Sequence, residues 1–198
     1  MIDLWEIERS CFARGVTLIC GADEAGAGPL AGAVYAAAVM LPPGLVLEDL
    51  NDSKKLSPAK RERLSVQIRE QAVTWAVVSV DEKEIDRINI LNARLQAMER
   101  AIRALDPAAD YALIDGNRSR GITCPNETVV KGDGRSASIA AASILAKVSR
   151  DHYMEEMDQR YPGYGFAQHK GYPTKAHYEA LRRLGPCPIH RLSFLKKL

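Results

Sequence analysis

Three short apolar runs in this chain end alike. "LICGADEAGAG" (18–28), "YALIDGN" (111–117) and "TVVKGDG" (128–134) each lead from apolar residues to an acid set beside glycine. Burying an unpaired carboxylate is costly, and an adjacent pair such as Asp23–Glu24 adds mutual repulsion. Taken singly, each acid reads as a turn or helix-capping residue. Taken together, they read as strand ends of one sheet, which would gather Asp23, Glu24, Asp115 and Asp133 on a common edge. Neighbours on a strand point to opposite faces, so Asp23 and Glu24 can act together only where the strand ends or bulges. The glycines at 26 and 28 supply that irregular backbone.

The rest of the pattern suits such a sheet. Apolar runs predict strands at 16–22, 32–41, 72–80, 111–115 and 128–132. Leu91, Leu95, Met98, Ile102 and Leu105 form an amphipathic stripe that stops at Asp106-Pro107. Ser57-Pro58 opens a helix through about Glu70, with Pro at the first helical position. A long Ala/Ser-rich helix follows Gly134, its small face suited to close packing, and another helix begins near Thr174. The order predicts an α/β domain with a mixed sheet flanked by helices. No linker or repeat divides the chain, so residues 1–198 are expected to form one domain whose part from about 160 is helical and basic.

Gly26-x-Gly28-x-x-x-Gly32 invites comparison with a dinucleotide-binding turn, but that turn needs a helix to start within the glycines. Here Pro29 and a strand-like run follow, and two acids ahead would repel a phosphate. A metal site fits the acids better. Hard carboxylate oxygens without Cys or His suit Mg²⁺ or Mn²⁺. Cys11, Cys20, Cys124 and Cys187 form no C-x-x-C pair, and His152, His169, His177 and His190 show no H-x-x-x-H spacing, which argues against zinc and a disulfide framework. Four carboxylates on one edge meet the needs of two-metal phosphodiester hydrolysis, with ions about 3.5–4 Å apart.

Charge is uneven. From His169 onward there are seven basic residues and one acid, a net of +6, so the preceding 168 residues carry −4 of the overall +2. A basic end on an acidic body suits a polyanion partner, although a solvated helix face reads equally well. No apolar stretch approaches the roughly 20 residues that span a membrane, and the N-terminus is acidic where a signal peptide would be basic, so a cytoplasmic location without membrane contact is expected.

The segments "GADEAGAGPLAG", "LNDSKKLS", "INILNARLQAM", "LIDGN", "VVKGD", "AASILAKVSRD" and "YGFAQHKGYPT", in that order, resemble bacterial ribonuclease HII from near residue 17 to about Phe194. The resemblance implies a ribonuclease H-like fold with a mixed five-stranded sheet and a helical C-terminal part. It implies cleavage of the RNA strand of RNA–DNA hybrids and incision 5′ to single ribonucleotides in duplex DNA, leaving 3′-hydroxyl and 5′-phosphate ends. Asp23, Glu24, Asp115 and Asp133 match the family's metal-site acids, with Asp23 shared by both ions. Gly26, Ala27 and Gly28 fall on its Gly-Arg-Gly ribonucleotide reader, where backbone N–H and C=O groups would approach the 2′-hydroxyl. Tyr172 matches the tyrosine that packs on the sugar at the RNA–DNA junction. "HRLSF" (190–194) matches an element read as mainly structural. A monomer is expected.

The basic residues then divide. Asn51, Ser53, Lys54 and Lys55, with Lys147 and Arg150, are candidate phosphate contacts, as are Lys170, Arg182 and Arg183. The alternative to a nuclease is a module that grips hybrids without cutting, but such a binder has no use for four carboxylates beside a polyanion. Ala27 departs from the family's usual Arg and removes a cation near the scissile phosphate. Ala27→Arg is therefore expected to tighten duplex binding and steepen its salt dependence; an unchanged Kd at low salt would refute this.

Overall fold

The structure is a computed structural model that describes residues 3–51 and 53–196. Lys197, one of the seven C-terminal cations, lies outside them. Five strands, β1 (Ile19–Ala25), β2 (Val34–Met40), β3 (Thr74–Val80), β4 (Tyr111–Asp115) and β5 (Asn126–Val129), form one sheet in the order β3-β2-β1-β4-β5. β1, β2 and β3 pair antiparallel, while β4 runs parallel to both β1 and β5. The predicted mixed five-stranded sheet is thus the one observed. Among the described residues no helix is long and apolar enough to cross a membrane.

β2 and β3 are trimmed by one or two residues. β1 runs on from the expected 22 to Ala25, so that Asp23 and Glu24 lie within it. Two further differences have a visible reason. β1 starts later than 16 because the Thr17 and Leu18 N–H groups donate to the Asp110 carboxylate at 3.1 and 3.0 Å instead of to a strand. The fifth strand is Asn126–Val129 rather than 128–132, since its partner β4 stops at Asp115, opposite Val129. Lys131 then turns left-handed (φ 56°) into a 3-10 turn over Gly132–Gly134, which carries Asp133.

Helices cover both faces of the sheet. α1 is Glu6–Ala13, α2 Pro58–Gln71, α3 Glu82–Ile88, α4 Ile90–Arg103, α5 Ala137–Arg160, α6 Phe166–His169 and α7 Lys175–Leu184. Ser57, Ser136 and Thr174 cap α2, α5 and α7 by accepting from the N–H three residues on, as their positions in the sequence suggest. The leucine stripe of α4 packs against Cys20, Ala22, Ala36 and Ile114 on one face. On the other, Ala137, Ala141 and Leu145 of α5 and Leu64 and Ile68 of α2 meet Ala37 and Val39. The helix α5 lies so close to β1 that a Cβ at Gly21 would sit 2.2 Å from the Ile139 nitrogen. A third apolar cluster joins Leu30, Ala31 and Met154 to Tyr164, Phe166, Leu181 and Ile189, fastening the C-terminal helices to the sheet.

The first turn of α5 is held from below by α1. Glu8, fully buried, accepts from the Ser136 hydroxyl at 2.6 Å and the Ser138 N–H at 3.0 Å. This places a negative charge at the positive end of a 24-residue helix. Glu8→Ala strands two buried donors and is expected to lower unfolding free energy by about 2 kcal/mol in urea titration; a loss under about 0.5 kcal/mol, typical of a surface site, would refute the role.

Candidate active site

The pleat of β1 sends its two acids to opposite sides. Cys20 and Ala22 face α4, and Glu24 follows them; Gly21 faces α5, and Asp23 follows it. The β1–β4 ladder ends at Ala22↔Ile114, whereas the β1–β2 ladder continues through Ala25↔Tyr35. The acids therefore sit where the strand has lost one neighbour and kept the other. This half-ended ladder is how adjacent residues can both border one cleft. Asp115, the last residue of β4, comes one step past Ile114.

Asp23 and Asp115 accept backbone hydrogen bonds, whereas Glu24 and Asp133 each stand beside a cation. Asp23 Oδ1 accepts from the Glu24 N–H at 2.7 Å, and Asp115 Oδ1 from the Gly132 N–H at 2.7 Å. Glu24 Oε1 lies 3.3 Å from Arg94 Nε of α4, and Asp133 Oδ2 lies 3.6 Å from Lys54 Nζ. Burial, then the charges of Glu24 and Asp115, hold the Asp23 acid well above the usual carboxylate range. Glu24 is also raised by burial, against the pull of Arg94. Among the described residues no three His, Cys, Asp or Glu side chains converge as a ready-made metal cage. The donor set nevertheless fits a hard divalent cation. All four groups offer carboxylate oxygen, Glu24 Oε2 is buried without a hydrogen-bond partner, and the repulsion felt by Asp23 is the kind that an added cation relieves.

Beside the acids opens a cavity of about 260 Å³ lined by Asp23, Glu24, Gly26, Ala27, Gly28, Ser53, Lys54, Ser143, Lys147, Arg150 and Tyr172. Two buried guanidiniums shape its floor. Arg150 of α5 donates to the carbonyls of Ala33, Lys170 and Ala31 at 3.2, 3.0 and 3.1 Å. Arg191 donates to those of Gly26, Ala27 and Gly32 at 2.6, 3.1 and 2.6 Å. Burial, aided by the Arg150 charge, brings the Arg191 guanidinium down to about 9. Gly26 has φ 94°, and a Cβ there would lie 2.0 Å from Arg150 Nε, so both its conformation and its surroundings require glycine. Tyr172 is 42% exposed and stands over the turn, its ring edge 3.6 Å from where a Cβ on Gly28 would be.

The candidate residues from the sequence thus fall into two groups. Asp23, Glu24, Gly26, Ala27, Gly28, Ser53, Lys54, Lys147, Arg150 and Tyr172 share the cavity. Asp115 and Asp133 lie outside its lining: the Asp115 charge acts on Asp23 and Glu24, and Asp133 pairs with Lys54. Asn51 and Lys55 are exposed near its rim. Three of the cations expected at phosphates are engaged by protein groups in this structure. Arg150 is buried with its donors on carbonyls, so it orders the turn. Lys170 turns away to Glu155 at 2.6 Å. Arg183 donates to the Gly163 carbonyl at 2.9 Å, and Arg182 beside it is exposed on α7. Lys147 lines the cavity but pairs with Asp151 at 2.6 Å, and burial depresses its ammonium. The sequence left three site residues unmarked: Arg94, Ser143 and the anchoring role of Arg191. An arginine among the apolar residues of "CPIHRLSF" was the only signal for the last.

The mixed five-stranded sheet in this order, with helices on both faces, places the chain in the ribonuclease H-like fold class. The family model for Ribonuclease HII matches residues 20–197. Ribonuclease HII of Moorella thermoacetica is 54% identical over 191 residues, covering 96% of this chain and 93% of that protein. The Dechloromonas aromatica protein is 56% identical over 179 residues, covering 90% and 91%. Among solved structures, ribonuclease HII of Archaeoglobus fulgidus, determined as a complex with PCNA, aligns with a TM-score of 0.75 at 25% identity, covering 92% of this chain and 96% of that one. Ribonuclease H2 from Pyrococcus horikoshii aligns at 0.73 and 25% identity, covering 89% and 93%. The chain belongs to the ribonuclease HII family: it is a metal-dependent ribonuclease H, an endonuclease of RNA–DNA hybrids.

The raised acid at Asp23 has a consequence for stability. A carboxylate whose folded pKa exceeds its unfolded value costs stability at neutral pH, and the cost fades as pH falls through the folded value. Asp23→Asn is therefore expected to raise the unfolding free energy in EDTA at pH 7, by about 1 kcal/mol, and to gain progressively less as the pH is lowered. A neutral or negative effect at pH 7 would contradict the electrostatic account.

Proposed function

We propose that this nuclease hydrolyses the RNA strand of hybrids and also incises duplex DNA on the 5′ side of a single embedded ribonucleotide. The family assignment sets aside the non-cutting hybrid binder. One observation carries the finer reading: Asp23 and Glu24 line the same cavity as the Gly26–Gly28 turn and Tyr172, so acids and sugar-facing elements act on one nucleotide.

In this reading Asp23, Glu24, Asp115 and Asp133 would hold two divalent ions, Mg²⁺ or Mn²⁺. When bound, the ions supply an activated water and stabilise charge on the leaving oxygen. The protein does the selecting. Arg191 holds the carbonyls of Gly26 and Ala27 and so fixes the turn, whose N–H and C=O groups read the 2′-hydroxyl. The Tyr172 ring supports the adjoining sugar. Water attacks phosphorus, the P–O3′ bond breaks, and the products are a 3′-hydroxyl on the DNA side and a 5′-phosphate on the ribonucleotide. Lys54, with Ser53, Asn51 and Lys55 beside it, and Lys147 from α5 border the path of the backbone; their part is to dock phosphates. We take residues 1–198 to form one catalytic unit that works as a monomer.

Incubation of a duplex carrying one ribonucleotide with each metal, followed by mapping of the cut, tests this. A single cut 5′ to the ribonucleotide is expected, with Asp115→Asn losing at least about 10³-fold in rate, the scale of one essential electrostatic group, while retaining binding to the duplex. A cut 3′ to the ribonucleotide, or cleavage at deoxy positions, overturns the specificity. Wild-type turnover by Asp115→Asn overturns the metal assignment.

A further inference from the structure

Three of the four histidines cluster behind Tyr172, and the nuclease reading gives them no task. His177 of α7 is fully buried and His190 nearly so. The His169 and His177 rings stack with centroids 4.4 Å apart. His177 Nδ1 lies 2.9 Å from the Tyr172 carbonyl, and its Nε2 lies 3.0 Å from His190 Nε2. His190 Nδ1 receives the Cys187 N–H at 2.9 Å.

A carbonyl can only accept, which fixes the protons along the line. His177 must carry its proton on Nδ1 to donate to Tyr172. Its Nε2 is then a bare acceptor, so His190 carries its proton on Nε2, and its Nδ1 accepts the Cys187 N–H at 2.9 Å; the Cys187 carbonyl, 3.2 Å from Nδ1, is met instead by the His190 N–H at 2.9 Å. Both rings are neutral and each has one tautomer. His169 is set in the same way, with Nε2 donating to the Tyr164 carbonyl at 2.8 Å and Nδ1 accepting from the Gly171 N–H at 3.2 Å. The two residues before Pro173 are thus gripped at the Gly171 N–H and the Tyr172 carbonyl. The Gly171 carbonyl in turn accepts from the Leu30 N–H at 2.8 Å, tying this turn to the Gly26–Gly32 turn beneath.

We propose that His177, fixed by His190, is a positioning residue for the substrate contact: the Cys187–His190–His177 line holds the Tyr172 backbone so that its ring stands over Gly28. The inference rests on the reading of Tyr172 as the sugar contact. The titratable groups facing the pair are His169 from α6, the Tyr164 phenol, whose ring is 5.2 Å from His190, and Cys187. Arg150 from α5 and Arg191 beside His190 direct their guanidiniums to carbonyls of the 26–33 turn, with Arg150 also engaging that of Lys170. Burial lowers both imidazoles, His190 to about 4 with the added effect of His177, so the line stays neutral at physiological pH.

The test pairs kinetics with spectroscopy. On a single-ribonucleotide duplex, Tyr172→Ala is expected to raise KM. His177→Gln, whose amide occupies the Nε2 position and misses the Tyr172 carbonyl, should raise KM about five- to tenfold, one hydrogen bond's worth, with kcat within about twofold. His177→Asn, whose amide nitrogen takes the Nδ1 position, should restore most of the loss. In a Tyr172→Ala background His177→Gln should add nothing. A further rise of KM in that background, a fall in kcat alone, or failure of Asn to rescue overturns the positioning role. Unchanged KM in Tyr172→Ala overturns the reading of the tyrosine and the positioning role with it. Histidine ¹⁵N spectra of the unaltered protein decide the line itself, even should a variant not fold. The Nδ1–H tautomer at His177 and Nε2–H at His190, both constant from pH 8 to about 6, are expected; the opposite tautomer at His177 refutes it.

Discussion

Two buried arginines whose donors go to main-chain carbonyls are the constraint on which the rest depends. Arg150 and Arg191 lie within reach of each other's field, and each gives its donors to three main-chain carbonyls. Taking a guanidinium out of water is tolerable only if its donors are met. The carbonyls that meet them belong to residues 26–33 and to Lys170. The turn cannot relax without leaving a charge stranded, and the charge cannot leave without releasing the turn. A segment of small residues with little packing of its own is made rigid in this way, at the place where a backbone must approach a sugar.

The acid site depends on a different device, an uneven end to one strand. β1 loses β4 at Ala22 but keeps β2 to Ala25. Asp23 and Glu24 are consequently fixed in strand geometry and face opposite sides, one toward α5 and the other toward Arg94 of α4. Protein cations at Arg94 and Lys54 stand beside acids that repel one another. Burial first, and then the charges of Glu24 and Asp115, raise the Asp23 acid, and an added cation at the cleft would relieve the second of these.

Much of this was legible in the sequence, for identifiable reasons. Strand ends marked by acid and glycine, the α4 stripe and the serine caps are local patterns, and local physics sets them. Asp23, Glu24, Gly26 and Tyr172 were placed together by a resemblance that spans most of the chain. What escaped is non-local. Arg150 reads like any basic residue on a helix until the carbonyls of Ala31 and Ala33 are seen around it. Arg94, Glu8 and the histidine line acquire their roles from partners many residues distant. The partners of Lys170 and Arg183 were not legible because a positive charge in a sequence does not reveal which way its side chain turns.

One face of α5 ties these parts together. Ser143 lines the acid cleft, Lys147 the cavity wall, Arg150 the floor of the turn and Met154 the C-terminal apolar cluster. The steps of four, three and four residues keep all four on one side of the helix, spread over about 16 Å at 1.5 Å per residue. The helix is therefore a graduated rule whose marks are side chains. Substitution at a mark alters one function, but insertion or deletion of a single residue between marks turns everything beyond it by about 100°. In this stretch a change of length disturbs more of the site than a change of one letter.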